Sequence, residues 1–235
     1  MQNVFNNTLN LGVQCYIFAF YFTKEEALKS ILNNISTIIF DLGGVVLNLD
    51  VQLSLNAFSE LSGISSEEVY SKFVDEDWTQ AFEKGEIDAN TFRNSVRDSL
   101  SNELTDSQID MAWDAMLLEL PYPRLIMLGN LRPQYQTLVL SNTNEIHVQT
   151  FDKIVGAVTG GKLIADFFDK VYYSNEMGMR KPDAEIYSFV LEENNLDPST
   201  TLFIDDMEIN ITGADSVGLQ TLHLTNQEYL NKLFS

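Results

Sequence analysis

The chain has 235 residues, 45% of them hydrophobic and 20% charged, which suits one globular domain carrying a modest insertion and able to bury a core without a disulfide or metal staple. Its formal net charge of −20 repels polyanions, so nucleic acid and anionic membranes are excluded as partners, and a phosphate ester can be held only where local cations or a metal reverse that field. The lone cysteine, Cys15, cannot form an internal disulfide and fits a reducing, cytoplasmic setting; with only two histidines, His147 and His223, any metal must be held by carboxylates, which points to a hard ion such as magnesium.

In chain order, residues 1–35 read as an N-terminal extension of unassigned role. Its apolar run Val13–Phe22 is shorter than the ~20 residues of a membrane span, and no Lys or Arg precedes it, unlike a secretory signal. The run is expected to dock on the body as a helix or strand, unless translation starts further on or the segment serves targeting. Ser36–Asp41 (STIIFD) is a β-branched and aromatic run that ends on an acid and is broken by Gly43-Gly44. Val45–Leu49 reads as a second short strand or a flap.

From Val51 to Leu120 the periodicity is helical. Ser65 and Glu68 have capping-box spacing, Asp88–Leu100 and Thr105–Leu118 read as amphipathic helices, and Lys84-Gly85-Glu86 reads as a turn ahead of them. After Pro121 the spacing predicts helices over Pro123–Leu131, Asn144–Val155, Pro182–Asn194 and Glu208–Val217. Strands are expected at Gln136–Ser141, Lys170–Ser174, Thr200–Asp205 and Leu219–Leu224. Repeated β-α units imply a parallel sheet covered on both faces, and ligands of such sheets bind beyond the C-terminal ends of the strands. Asp41, Ser141 and Asp205 each end a strand, so they are expected to meet at one edge.

Four segments stand out: FDLGGVV (40–46), VLSNTN (139–144), GMRKPDAEIY (178–187) and LFIDDMEINITGA (202–214). Each alone has a plain structural reading, such as a cap, a turn or a solvated charge. Together and in this order they resemble the four motifs of the haloacid dehalogenase (HAD) superfamily. The resemblance implies an α/β fold, a Rossmann-like doubly wound parallel sheet formed by residues 36–50 and 121–235, with an inserted all-helical C1 cap over residues 51–120. It also implies a magnesium-dependent phosphatase acting on a small phosphorylated metabolite. Asp41 is then the nucleophile, splitting one hard displacement into two through an aspartyl-phosphate. The Mg2+ ligands implied are Asp41, the backbone carbonyl of Gly43 and Asp206, with Asp205 holding the metal directly or through water. The Ser141 hydroxyl and the Asn142 N–H would bind phosphoryl oxygens, and Lys181 would supply a positive point charge. Pro182 suits the first turn of the helix after Lys181, and Asn210 reads as a supporting residue.

One position departs from the usual pattern. Most HAD phosphatases carry a general acid and base two residues after the nucleophile, and here that position is Gly43. Three explanations stand: esters with good leaving groups such as a hexose 1-phosphate, a stand-in acid from the cap or Asp50, or lapsed activity. A narrower resemblance, which includes the cap segment FEKGEIDANTF (82–92), is to a bacterial branch that contains an α-D-glucose-1-phosphate phosphatase. On this reading the turn at Phe82–Glu86 faces the site, with Glu83, Lys84 and Gly85 setting specificity, while Trp78 and Phe92 are core residues. The alternatives are a 2-haloacid dehalogenase, against which the Asp205-Asp206 pair argues, and a non-catalytic binding protein on the same scaffold.

Overall fold

The computed structural model describes residues 32–74 and 76–234; the apolar run Val13–Phe22 lies outside them. Five strands form one parallel sheet: β1 (Thr37–Phe40), β2 (Gln136–Ser141), β3 (Lys170–Tyr173), β4 (Thr201–Asp205) and β5 (Gln220–His223), in the order β3-β2-β1-β4-β5. The chain leaves the central strand β1 towards one edge through β2 and β3, then returns to build the other edge. The strand order therefore reverses at β1, where an open α/β sheet forms its crevice.

The period of two along each strand sends side chains to opposite faces. Ile38, Phe40, Val139, Leu202 and Ile204 join one buried cluster. Ile39, Leu138, Leu140 and Phe203 join a second cluster on the other face with Tyr187 and Val190 of the helix Ala184–Glu193. Both faces are covered, which explains why these strands read as continuous apolar runs.

Between β1 and β2 the chain forms six helices; Tyr122–Leu131 packs on the sheet, and the other five are α1 (Val51–Ser62), α2 (Ser66–Val74), α3 (Trp78–Glu83), α4 (Ala89–Leu100) and α5 (Asp106–Asp114). They surround a core of their own built on Phe58, Phe73, Phe82, Phe92 and Ile109. Phe92 is fully buried there, stacked 4.2 Å from Phe82, and Trp78 packs against it at 5.5 Å. Local chemistry sets the helix starts: Asp50, Asp88 and Thr105 each accept a backbone N–H of the first turn, and Thr105 and Gln108 complete a capping box.

The structure decides one open expectation and corrects two. Of the strand or flap expected at Val45–Leu49 it forms the flap, with two isolated bridges, Gly43 to Leu47 and Leu49 to Leu117. The helix expected over Thr105–Leu118 ends at Asp114, because the chain turns there to lay Leu117 beside Leu49. The helix after Lys181 starts at Ala184, with Asp183 in extended backbone at its N-cap, so Pro182 lies outside it. No helix among the described residues is long and apolar enough to cross a membrane.

Candidate active site

The parallel register delivers the site. Phe40 pairs with both Val139 and Ile204, and Ser141 with Tyr173. The residues at the C-terminal strand ends (Asp41, Ser141, Ser174 and Asp205) therefore emerge on one edge. The Asp41 N–H donates to the Ile204 carbonyl at 2.8 Å, which fixes Asp41 level with Asp205.

The centre of the site is a buried ammonium. Lys181 Nζ donates to Asp41 Oδ1 and to Asp205 Oδ2, each at 2.6 Å, and Lys181 is 1% exposed. The lysine is held along its length. Its amide N–H donates to Asn142 Oδ1 and its carbonyl accepts from Asn142 Nδ2, both at 2.9 Å, and Nζ sits 5.3 Å over the Phe203 ring. Burial opposes the charged ammonium, but Asp41 and Asp205 outweigh it and hold its pKa above the ordinary lysine value.

Asp205 is fully buried and its oxygens are occupied. Oδ1 accepts from the Met207 N–H at 2.8 Å and from Asn210 Nδ2 at 3.0 Å, and Oδ2 accepts from Lys181 and, at 3.1 Å, from Asn210. Asn210 is in turn held by Tyr187, whose hydroxyl donates to its carbonyl at 2.8 Å. Asp41 differs: Lys181 engages only Oδ1, and the residue faces the cleft. Burial pushes its pKa up to about 7; Lys181 lowers it, while Asp205 and Asp206 raise it. Burial raises Asp206 too, followed by the charge of Asp205.

Ligand atoms of Asp41, Asp205 and Asp206 lie within 4.8 Å of one another. Three carboxylates so close, with one ammonium between two of them, form a donor set of hard oxygens in excess negative charge, which fits a divalent magnesium ion. The backbone fits as well. Gly44 has φ +76°, and a Cβ placed on it would overlap the Asp206 carboxylate, so only glycine lets this loop close against that acid. Gly43, which precedes it, lines the cleft beside Asp41.

The cleft has a volume of about 570 Å3 and is walled by both the sheet edge and the helical insert. Ser141 and Asn142 line it. Of the turn expected to face the site, only Glu83 does so. Phe82 is in the insert's core, and Gly85 (φ +67°) packs on the backbone carbonyl of Asn175, away from the cleft, with Lys84 at the C-cap of α3 between them. Asp50 is no stand-in acid, because it is exposed and caps α1 through the Gln52 N–H. The carboxyls lining the cleft among the described residues are Asp41, Asp206 and Glu83.

Several lining residues had no prior role assigned. Arg180 donates from Nε and Nη2 to Glu83 Oε2 at 3.0 and 2.8 Å, tying the insert to the loop that carries Lys181. Burial raises the Glu83 pKa, and Arg180 opposes it. Ser174 accepts the Thr143 N–H at 2.9 Å and donates to the Glu83 carbonyl at 2.6 Å. Its signal was available: Ser174 is a polar residue at a strand end, like Ser141. Arg180 stands inside a motif segment beside Lys181. His147 and Trp113 carry no comparable signal, since only the fold stacks their rings 5.1 Å apart.

The chain matches the family model of the haloacid dehalogenase-like hydrolases over residues 35–218. It therefore belongs to the haloacid dehalogenase-like hydrolase family. It is 31% identical over 192 residues to D-ribitol-5-phosphate phosphatase of Bacteroides thetaiotaomicron, covering 82% of this chain and 93% of that protein. A crystal structure of a HAD family enzyme from the same organism, in complex with magnesium and inorganic phosphate, superposes with a TM-score of 0.72 at 36% identity, covering 80% of this chain and 93% of the other. L-2-haloacid dehalogenase from Xanthobacter autotrophicus shares the fold, with a TM-score of 0.54 at 20% identity over 80% of this chain and 76% of that one.

Two groups at the seam between insert and sheet titrate in opposite senses. Burial pushes the Asp114 carboxyl from 3.8 up to about 6, against a Thr150 hydroxyl bond of 2.6 Å, and its Oδ1 is buried without a hydrogen-bond partner, 4.0 Å from His147 Nε2. Burial pushes His147 from 6.5 down to about 4, and its Nε2–H donates to the Trp113 carbonyl at 3.2 Å. A raised folded-state pKa means that Asp114 supports the fold at acid pH, support that is lost as pH rises from 3.8 to about 6. The depressed His147 acts the other way: its support is present above 6.5 and is lost as pH falls to about 4. Asp114→Asn removes only the first effect. It is expected to stabilise the protein by about 1–2 kcal/mol near neutral pH and to change little at about pH 4, read by urea denaturation.

Proposed function

We propose that this protein is a magnesium-dependent phosphatase of a small phosphate monoester, working through an aspartyl-phosphate on Asp41. The observation that carries the reading is the buried Lys181 ammonium shared by Asp41 and Asp205, with Asp206 completing a carboxylate cluster. A dehalogenase has no use for the metal-holding pair Asp205-Asp206, and a lapsed site has no reason to keep this geometry. The relatives named above support the reading, since one is a phosphatase and one holds magnesium and phosphate.

In this mechanism Lys181 orients Asp41 by its hold on Oδ1, leaving Oδ2 to attack phosphorus as the bond to the alcohol oxygen breaks. Ser141 Oγ, the Asn142 N–H and Lys181 stabilise the phosphoryl oxygens. Asp41, Asp206 and the Gly43 carbonyl, with Asp205 behind them, would hold magnesium, which would supply neutralisation of the charge that develops on the phosphoryl group. Water then cleaves the acyl phosphate and regenerates Asp41. Helices α1–α5 serve as the cap.

The proton for the departing alcohol cannot come from position 43. A Cβ built on Gly43 meets Leu49 at 3.5 Å, so an apolar side chain flanks the position where many relatives place an acid. Glu83 is the cleft carboxyl left outside the metal cluster, and burial raises its pKa. We assign it as the proton donor, which makes it the one specificity residue of the expected trio that reaches the substrate. The alcohol itself is less defined. The D-ribitol-5-phosphate phosphatase relative favours an open-chain phosphate. The hexose 1-phosphate reading rests on the motif resemblance alone, and none of the relatives named above supports it.

Three outcomes test the proposal. Asp41→Asn should abolish turnover while leaving thermal stability equal to or above that of the parent in magnesium-free buffer above neutral pH, because the buried carboxylate with a pKa of about 7 is destabilising once ionised. Residual activity would remove Asp41 as the nucleophile. Phosphate release from a panel of ribitol 5-phosphate, hexose 1-phosphates and hexose 6-phosphates should stop with EDTA and return with magnesium; release indifferent to EDTA would remove the metal from the mechanism, and no release from any ester would favour the dehalogenase class. Glu83→Gln should slow esters of ordinary alcohols by about 10²–10⁴ and spare p-nitrophenyl phosphate, whose leaving group needs no proton. Equal losses on both would rule out the proton-donor role.

A further inference from the structure

A second cavity of about 260 Å3 opens in the helical insert between α1, α2 and α3. Five of its lining residues, Val51, Glu83, Trp113, Met116 and Arg180, also line the catalytic cleft, so the two spaces adjoin along a shared wall. Beyond that threshold the walls are Leu55, Phe58, Tyr70 and Phe73. Phe58 and Phe73 lie edge to face at 5.0 Å, and Phe73 stands 6.5 Å from Trp113. The rim leaves large apolar surface open, with Tyr70 53% and Val51 47% exposed.

The polar groups of this groove are already spent. Ser54 Oγ donates to the Trp113 carbonyl at 2.8 Å and accepts the Met116 N–H at 3.0 Å. The Thr79 hydroxyl is within 3.3 Å of the Glu76 carbonyl and 3.4 Å of the Phe73 carbonyl. Glu83 and Arg180 neutralise each other at the threshold. Apart from the amide of Gln80 and the hydroxyl of Tyr70, both on exposed residues, the walls offer a ligand aromatic and aliphatic surface. A hydroxylated chain entering here would lose water without finding partners, whereas an apolar one gains by leaving water.

We propose that this groove is a subsite of the catalytic cleft that takes an alkyl or aryl end of the substrate's alcohol while its phosphate is held at Lys181. The inference rests on the phosphatase reading above, but it departs from the polyol of the D-ribitol-5-phosphate relative and takes the substrate to be a monoester whose alcohol is apolar at the end remote from phosphorus. The shared wall with the cleft favours this occupant, since a group tethered to the phosphate lies beside the groove.

The test is binding of methyl-, butyl-, hexyl- and octylphosphonate, with inorganic phosphate as reference, to the full chain in magnesium, measured by calorimetry. Beyond butyl, affinity should rise about three- to fourfold per added methylene. In Tyr70→Glu, a change at a half-exposed rim position remote from the metal cluster, the rise should flatten while inorganic phosphate and methylphosphonate bind as in the parent. Three results would overturn the subsite and leave the phosphatase reading standing: a flat series in the parent, a rise equally steep in the variant, or a Tyr70→Glu effect on self-association alone, which would mark the groove as a contact between copies. Failure of inorganic phosphate and every phosphonate to bind in magnesium would overturn both.

Discussion

One ammonium, that of Lys181, is shared between two buried carboxylates, and the rest of the site is arranged around it. Taking the pair out of water is costly, and it is held only because each group has further partners. Asp205 spends its capacity on Asn210, the Met207 N–H and Lys181, while Asn142 clamps the lysine backbone. Asp41 is the member left incomplete, with one oxygen on Lys181 and the cleft before it. When all are ionised, three acids against one ammonium leave an excess of two negative charges, which adds to burial, the main cause, in raising the pKa of Asp41. A divalent cation removes it. The acidic surface field, unfavourable for a phosphate ester, draws such a cation in, so the same net charge of −20 that discourages the substrate helps prepare its binding site.

This arrangement depends on sheet register more than on any loop. Asp41 and Asp205 are level because β1 and β4 pair in parallel with Phe40 opposite Ile204, and Lys181 reaches both because its loop is pinned to the end of β2 through Asn142. A slip of one residue in a parallel strand would turn its side chains to the other face. The apolar alternation of Ile38, Ile39 and Phe40 between two separate cores forbids that slip. The placement of Asp41 is therefore enforced by packing on both faces of the sheet.

Much of this was legible in the sequence. Short β-branched runs ending on Asp41, Ser141 and Asp205 marked the strands and the edge where they meet, because strand periodicity and the rule for open sheets are local and topological facts. The helices of the insert were legible from their caps, which act within four residues. Contacts between distant segments that carry no pattern were not. The stack of Trp113 on His147, the Arg180–Glu83 pair and the double role of Ser174 join residues 34, 97 and 91 positions apart. The choice between strand and flap at Val45–Leu49 stayed open for a related reason: its apolar residues face inward around a glycine turn, and a run of buried side chains looks the same whether the backbone pairs or folds on itself.

Glu83 shows how the insert and the sheet edge act as one unit. Its carbonyl accepts from Ser174, whose oxygen also takes the Thr143 N–H, and its carboxylate holds Arg180, the neighbour of Lys181. One residue of the insert thus touches the loops after β2 and β3 and the segment that supplies the central cation. Gly85, two positions on, is confined to a left-handed backbone against the Asn175 carbonyl, where a Cβ would force the turn outward. Displacing the insert would therefore break the Arg180 pair and free the Ser174 hydroxyl at once. On the assignment proposed above, glycine at position 43 leaves the proton-donating acid to the insert, so proton delivery would be available only in the arrangement that also orders the loops carrying Asn142 and Lys181. An acid on the loop of Asp41 would act whether or not the insert were seated; Glu83 in that role would make the chemistry conditional on the insert's position.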